Sequence, residues 1–255
     1  MNSGPPVPGK RVLPAIIGAV LLLAGVAGGW FWHAARTKAD PASALDAGDR
    51  AAIEQVVHDY ILENPEILPQ AMENLRLREN SERLASIRDD VQAPYPGAVL
   101  GNPEGKVTLV EFTDFACGYC RQSVADVEQL IAANPDLRIV IRELPILSPQ
   151  SADAARWALA AADQGKYAAF HHAMFAAGRP GPETIQAAAR AAGLDMERAK
   201  AALSSPRIAA ELDRNFEFAR QLGFEGTPSW ISGDQLLSGA VGKDVLADAI
   251  VKARR

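Results

Sequence analysis

The sequence predicts an α/β domain in which a strand hands over to a helix at a pair of cysteines. A helical insertion follows, and a helical arm and a transmembrane signal anchor precede it. Three observations carry this reading. The only two cysteines close the stretch Phe112-Thr113-Asp114-Phe115-Ala116-Cys117-Gly118-Tyr119-Cys120. The apolar run Val107 to Phe112 in front of them reads as a buried strand, and Val124, Val127, Leu130 and Ile131 behind them fall at helical spacing. An alanine-rich helical stretch then separates this unit from strand signals at 229–232 and 235–238.

Taken in order, residues 1–11 form a Pro- and Gly-rich tail ending in Lys10-Arg11. Residues 12–32 carry no charge, and about 21 residues suffice to cross a bilayer core of roughly 30 Å. This length favours an uncleaved signal anchor over a cleavable signal peptide, although Ala42-Ser43-Ala44 offers a small-residue cleavage site and hence the alternative of a soluble, processed protein. Trp30, Phe31 and Trp32 suit an interfacial belt, while basic residues on both sides leave orientation undecided by charge. Residues 33–45 read as a linker.

Residues 46–92 form the expected helical arm. Ile53, Val56, Val57, Tyr60 and Ile61 mark one apolar helix face, Asn64-Pro65 ends that helix and starts the next, and Pro69 is read as a kink or restart. The charged stretch Arg76 to Asp90 carries Leu77, Leu84 and Val91 at seven-residue intervals, too few to define a coiled coil. So short and charged a segment buries too little surface to stand alone. Its apolar stripes must pack on the main domain or on other copies of the chain.

Residues 98–255 form the main domain. After the strand and the cysteine helix, Asn134-Pro135-Asp136 turns into a second strand, Leu137 to Leu144, parallel to the first. The helical insertion spans 150–222, with breaks at Gly165, Gly178 to Pro182, Gly193 and Ser205-Pro206. Gly233-Asp234 joins two short strands as a hairpin, and an amphipathic helix from about Lys243 closes the chain.

Two cysteines three positions apart can form a disulfide, bind a metal or exchange electrons. At a helix N-terminus, free N–H groups and the helix dipole favour a thiolate. Cys117, nearest the helix start and expected to be the more exposed, is then the attacking sulfur, and Cys120, one turn inside, resolves the mixed disulfide. A zinc site needs about four ligands, and His33, His58, His171 and His172 show no spacing that completes one. Two thiolates could still hold Cu(I), so a copper-binding or scaffolding protein is the alternative from another class. The formal net charge of −5 gives no basic footprint for nucleic acid. No cofactor is expected. Trp157 and Trp230 read as core, His171 and His172 as packing or surface residues, and Arg142-Glu143 as a structural ion pair.

The order strand, Cys117-Gly118-Tyr119-Cys120 at a helix start, strand, helical insert, Thr227-Pro228, hairpin, helix resembles the DsbA-like branch of the thioredoxin superfamily over residues 98–255. The resemblance implies a thioredoxin-like fold and a cis Pro228 opposite the cysteines. It also implies peptide binding at Thr227 and Pro228 beside Gly118 and Tyr119, and a buried acid at Glu111 that moves protons for Cys120. Gly118-Tyr119 and Thr227 are closer to the disulfide isomerases and reductases of that family than to its strong oxidase. The arm, with Tyr60-Ile61-Leu62-Glu63-Asn64-Pro65-Glu66, is similar to the N-terminal region of ScsC-type proteins, some of which oligomerise through it.

The expectation is therefore an extracytoplasmic, periplasm-facing thiol–disulfide oxidoreductase held by a single-pass anchor with its N-terminus in the cytoplasm. It would act on protein thiols and disulfides, lean toward isomerase or reductase, and be reset by a membrane redox partner. A homo-oligomer through residues 46–92 accompanies this reading. A monomeric dithiol oxidase is the alternative within the same chemistry.

Overall fold

The computed structural model describes residues 46–254. The tail 1–11, the expected anchor 12–32 and the linker 33–45 lie outside the described residues. Among the described residues no helix is long and apolar enough to cross a membrane. Contacts divide the chain after Gln70.

In the first unit, α1 (Ala47–Glu63) starts at Asp46, whose carboxylate accepts from the N–H groups of Gly48 and Asp49, both at 2.8 Å. Ile53, Val56, Val57, Tyr60 and Leu62 on this helix are exposed. The next helix, α2 (Ile67–Ala85), begins two residues after Pro65 and runs through Pro69 without a break. Pro69 sits in the first turn, where a backbone N–H has no intrahelical partner to lose, so the expected kink does not occur.

The second unit begins within α2. Leu84, Ile87 and Val91, the last on the short helix α3 (Arg88–Gln92), are buried against Val110, Phe112, Val140, Leu144, Phe218 and Leu222. The apolar edge of the charged stretch thus packs on the main domain's own sheet. Gly97, at φ 88°, then turns the chain, and a Cβ there would lie 2.6 Å from the Ala162 carbonyl oxygen.

The sheet has five strands in the order β1-β3-β2-β4-β5. They are β1 (Val99–Gly101), β2 (Val107–Thr113), β3 (Leu137–Glu143), β4 (Ser229–Ser232) and β5 (Gln235–Ser238). β2 and β3 are parallel, the other pairs antiparallel. The sequence pattern does not show β1, because three residues are too few for period-two alternation to register. On the odd-numbered face of β2, Val107 and Leu109 pack with α4 (Gly118–Ala133) through Val127 and Leu130 and with α10 (Lys243–Ala253) through Leu246 and Ile250. The insertion joins the same core as α5 (Pro149–Ala162), α6 (Tyr167–Ala177), α7 (Pro182–Ala191), α8 (Met196–Ala202) and the first half of α9 (Pro206–Leu222). Its breaks fall at the Gly and Pro positions read from the sequence. Trp157 and Trp230 are both core residues.

Arg142 and Glu143 do not pair. Consecutive strand residues point to opposite faces. The Arg142 guanidinium is buried with α9, donating to Glu211 Oε1 at 2.6 Å and to Asn215 Oδ1 at 3.3 Å. It also donates to the Val91 carbonyl at 3.0 Å and to those of Asp90 and Ala93, which ties α3 to the sheet. Glu143 faces the other core, where it accepts from the Tyr167 hydroxyl at 2.6 Å. Replacing Arg142 strands a buried carboxylate and three carbonyls. Arg142→Leu is therefore expected to cost about 3 to 5 kcal/mol of stability, read as a lower urea midpoint at unchanged slope.

Candidate functional site

The site forms where β2 ends. Asp114, buried, accepts from the N–H of Ala116 at 2.7 Å and of Leu147 at 2.9 Å, and so ties the cysteine loop to the segment after β3. Cys117 is the N-cap of α4, and its sulfur accepts from the Cys120 N–H at 3.1 Å. Cys117 Sγ also donates to the Thr227 carbonyl at 3.2 Å, and the Thr227–Pro228 bond is cis. That loop is held by Ser229 Oγ donating to the Gly226 carbonyl at 2.8 Å and by the Gly239 N–H donating to the Pro228 carbonyl at 2.8 Å. The two cysteines are free thiols.

Cys117 is only 3% exposed, less than its place at the helix start leads one to expect, because the Thr227 loop covers the sulfur. Tyr119, by contrast, is 64% exposed, and a Cβ on Gly118 would meet nothing within 4 Å, so these two residues form the open lip of the site. An open cleft of about 220 Å³ runs along Gly226, Thr227, Ser229 and Gly239. A second of about 330 Å³ shares Gly223 and Glu225 with it and is lined by the apolar groups of Leu144, Ile146, Phe216 and Phe224.

The electrostatics of the two sulfurs differ sharply. The neighbouring Cys120 thiol does most to bring Cys117 down to about 6, with the Thr227 hydroxyl and the backbone N–H groups of Cys120 and Tyr119 adding to it against burial. Burial, hydrogen bonding to Cys117 and the charge of Glu111 push Cys120 strongly upward. Glu111, 2% exposed on β2 between Ile141 and Trp230, is pushed up to about 8, chiefly by burial. Glu111 is near enough to the cysteine pair for its charge to act on Cys120 and for that of Cys117 to act on it.

Other residues singled out in the sequence have different roles. His171 is buried with neither ring nitrogen hydrogen-bonded, packed by Phe115, Tyr167 and Phe175, and burial followed by His172 pulls it down to about 3. His172 faces Glu128 at 2.9 Å. Arg121, next to Cys120, donates through Nε to the Phe175 carbonyl at 3.1 Å. No group of three or more His, Cys, Asp or Glu side chains suited to a metal occurs among the described residues. Sequence reasoning misses Asp114, Glu143 and Tyr167 as site residues. Asp114 lies inside the stretch that defines the site, whereas nothing local links Glu143 to Tyr167.

An N-cap thiol of lowered pKa, a buried partner thiol, a buried acid and a cis-proline loop on this sheet define a thioredoxin-fold dithiol protein, built to exchange electrons with other thiols. The chain belongs to the DSBA-like thioredoxin domain family, whose model matches residues 108–251. A second family model, the copper resistance protein ScsC N-terminal domain, matches residues 49–82. Among solved structures, a thioredoxin-like oxidoreductase from Silicibacter pomeroyi is 46% identical, with 62% of this chain and 93% of that one covered and a TM-score of 0.59. A linker-deletion mutant of Proteus mirabilis ScsC is 27% identical, with 83% of this chain and 97% of that one covered and a TM-score of 0.63. Among curated proteins, the Na(+)/H(+) antiporter NhaA 1 of Salinispora arenicola is 30% identical over 189 residues, 73% of this chain. The chain spans 29% of that protein's length. The matches thus make the chain similar to DsbA-like and ScsC-like proteins.

Two outcomes follow. Thr227→Val removes a hydroxyl that favours the Cys117 thiolate, so the pH midpoint of thiolate ultraviolet absorbance is expected to rise from about 6. Glu111 binds its proton more tightly folded, with a pKa of about 8 against 4.5, so its burial costs stability increasingly as pH rises through that window. Glu111→Gln should accordingly gain on the wild type between about pH 5 and about pH 8, measured by denaturant unfolding of the reduced proteins.

Proposed function

We propose that this protein is a membrane-anchored, extracytoplasmic thiol–disulfide oxidoreductase that isomerises or reduces protein disulfides. The observation that carries this reading is the asymmetry of the cysteine pair. Cys117 is substantially thiolate at neutral pH, while Cys120 is held as a thiol in reach of a buried acid. Cys117 attacks a substrate disulfide and forms a mixed disulfide. The thiol form of Cys117 donates to the Thr227 carbonyl; in the thiolate and in the mixed disulfide that hydrogen bond is gone, and the carbonyl is free to pair with the extended peptide beside Pro228. Tyr119 and Gly118 flank that peptide, and the apolar cleft at Ile146, Phe216 and Phe224 receives its side chains. Cys120 then resolves the mixed disulfide, passing its proton to Glu111.

An exchange-competent cysteine pair belongs in an oxidising compartment, and the charge-free segment 12–32 supplies the anchor, with the N-terminus in the cytoplasm. A membrane redox partner resets the pair. The exposed apolar residues of α1, and separately exposed Leu68, Met72 and Leu75 on α2, support a homo-oligomer through residues 46–92. Leu84, Ile87 and Val91 are taken up by the catalytic core, so the part free to mediate it ends before Leu84.

Reduced and scrambled RNase separate isomerase from oxidase. The fragment from about Leu45 should rescue scrambled RNase, lose that activity in Cys117→Ala, and lose mass in native mass spectrometry along with isomerase activity when residues 46–70 are removed. Rapid oxidation of reduced RNase without rescue of the scrambled enzyme would make it a monomeric-type dithiol oxidase instead.

A further inference from the structure

Behind the cysteines the core holds a second carboxyl. Thr113 on β2 is directly opposite Glu143 on β3, and Glu111 lies two residues before Thr113 on the same sheet face. Glu143 is 1% exposed and its one side-chain partner is the buried Tyr167 hydroxyl at 2.6 Å. The Thr113 hydroxyl is buried without any hydrogen-bond partner among the described residues. A buried hydroxyl able to donate and accept at once therefore neighbours both carboxyls, and although it makes no full hydrogen bond it is near enough to Glu111 to favour the ionised form.

Among the described residues, the groups whose charge or hydrogen bonding acts on the two carboxyls include no compensating cation. The loop after β2 contributes Asp114, α4 contributes Cys117 and Cys120, α6 contributes Tyr167 with His171 behind it, and β4 contributes the Trp230 ring. Arg142 is on the opposite face. Burial and the charges of Asp114 and Glu111 raise Glu143 well above the usual carboxylate range, and two like charges this close oppose ionisation of both. Two interacting carboxyls give up their protons as a pair.

We propose that Glu143, held by Tyr167, is a positioning residue that shares the proton of Glu111 through the Thr113 hydroxyl and so governs when Cys120 is deprotonated. This rests on the exchange reading above, with Glu111 as the acid. In the resolving step the Cys120 S–H bond breaks and its proton goes to Glu111. The Cys120 sulfur bonds to Cys117 Sγ, the bond from Cys117 to the substrate sulfur breaks, and the substrate leaves as a thiolate that takes a proton from water. The dithiol is oxidised and the substrate disulfide reduced by the same two electrons. Before this step the two glutamates share one proton, and after it they hold two. Glu111 returns the second to the Cys120 sulfur when the redox partner reduces the disulfide, restoring a base beside Cys120 for the next turnover.

The test is the infrared difference spectrum between the dithiol and disulfide forms, interconverted with a chemical reductant and followed across pH, with no protein substrate present. The wild type should show a protonated-carboxyl signal with two interacting midpoints. Glu143→Gln should leave one component, with a midpoint lower by about one unit than the upper wild-type one. Thr113→Val should keep both components but titrate them independently. The pH dependence of mixed-disulfide resolution should move with the infrared midpoint in each variant. The proposal is overturned if Glu143→Gln reproduces the wild-type signal and midpoint, or if Glu111→Gln alone abolishes every carboxyl change. Should Glu143→Gln fail to fold, Thr113→Val decides, and independent titration is the supporting result. Failure to exchange protein disulfides would instead sink the functional reading, since the infrared experiment does not depend on it.

Discussion

The central strand β2 is the constraint on which the rest of the structure depends. It is hydrogen-bonded on both edges, to β3 and β4, and its side chains are covered on both faces. A strand so enclosed has one register available, because slipping by one residue would exchange every side chain between the two cores. Fixing β2 fixes where Glu111 lies, which way Thr113 points and where the chain must leave the sheet. Asp114 converts that exit into a helix start by holding the loop through two backbone N–H groups. The cysteine chemistry is built on this rigid base.

The two faces of the sheet handle charge in opposite ways. On one, the Arg142 guanidinium is fully partnered by Glu211, Asn215 and three carbonyls, an arrangement that tolerates burial because its donors are used. On the other, Glu111 and Glu143 are buried with no cation beside them. Carboxyls in such surroundings are stable only when protonated near neutral pH, and they surrender protons when a neighbouring charge changes. The stabilising face anchors α3 and α9 to the sheet; the uncompensated face lies under the reacting sulfurs.

The same principle separates the two cysteines. Both are nearly inaccessible, yet Cys117 is surrounded by donors at the start of α4 and Cys120 is enclosed within the first turn. Donors favour a thiolate and burial opposes one, so three residues of separation along the chain produce one sulfur suited to attack and one held in reserve. The Thr227 loop adds to this difference and also shields the Cys117 sulfur from water.

Much of this was legible in the sequence because it is written in local patterns. The Val107–Phe112 run, the helical spacing behind Cys120, the Gly and Pro breaks of the insertion and the Gly233-Asp234 turn are all decided by neighbours in the chain. So the sequence by itself determined the strand, helix and hairpin order and the placing of the cysteine pair at a helix start, while the thioredoxin-like layout with Glu111 and Thr227-Pro228 came from the resemblance to the DsbA-like branch. Tertiary structure alone decided which partners distant side chains would find. It sent Arg142 to Glu211 and Glu143 to Tyr167, added β1 to the sheet edge, and took Leu84 and Val91 into the domain core. It also covered Cys117 with a loop 110 residues away. The physical reason is that periodicity reports which face of an element is apolar, whereas burial, hydrogen bonding and titration depend on what another element brings against that face.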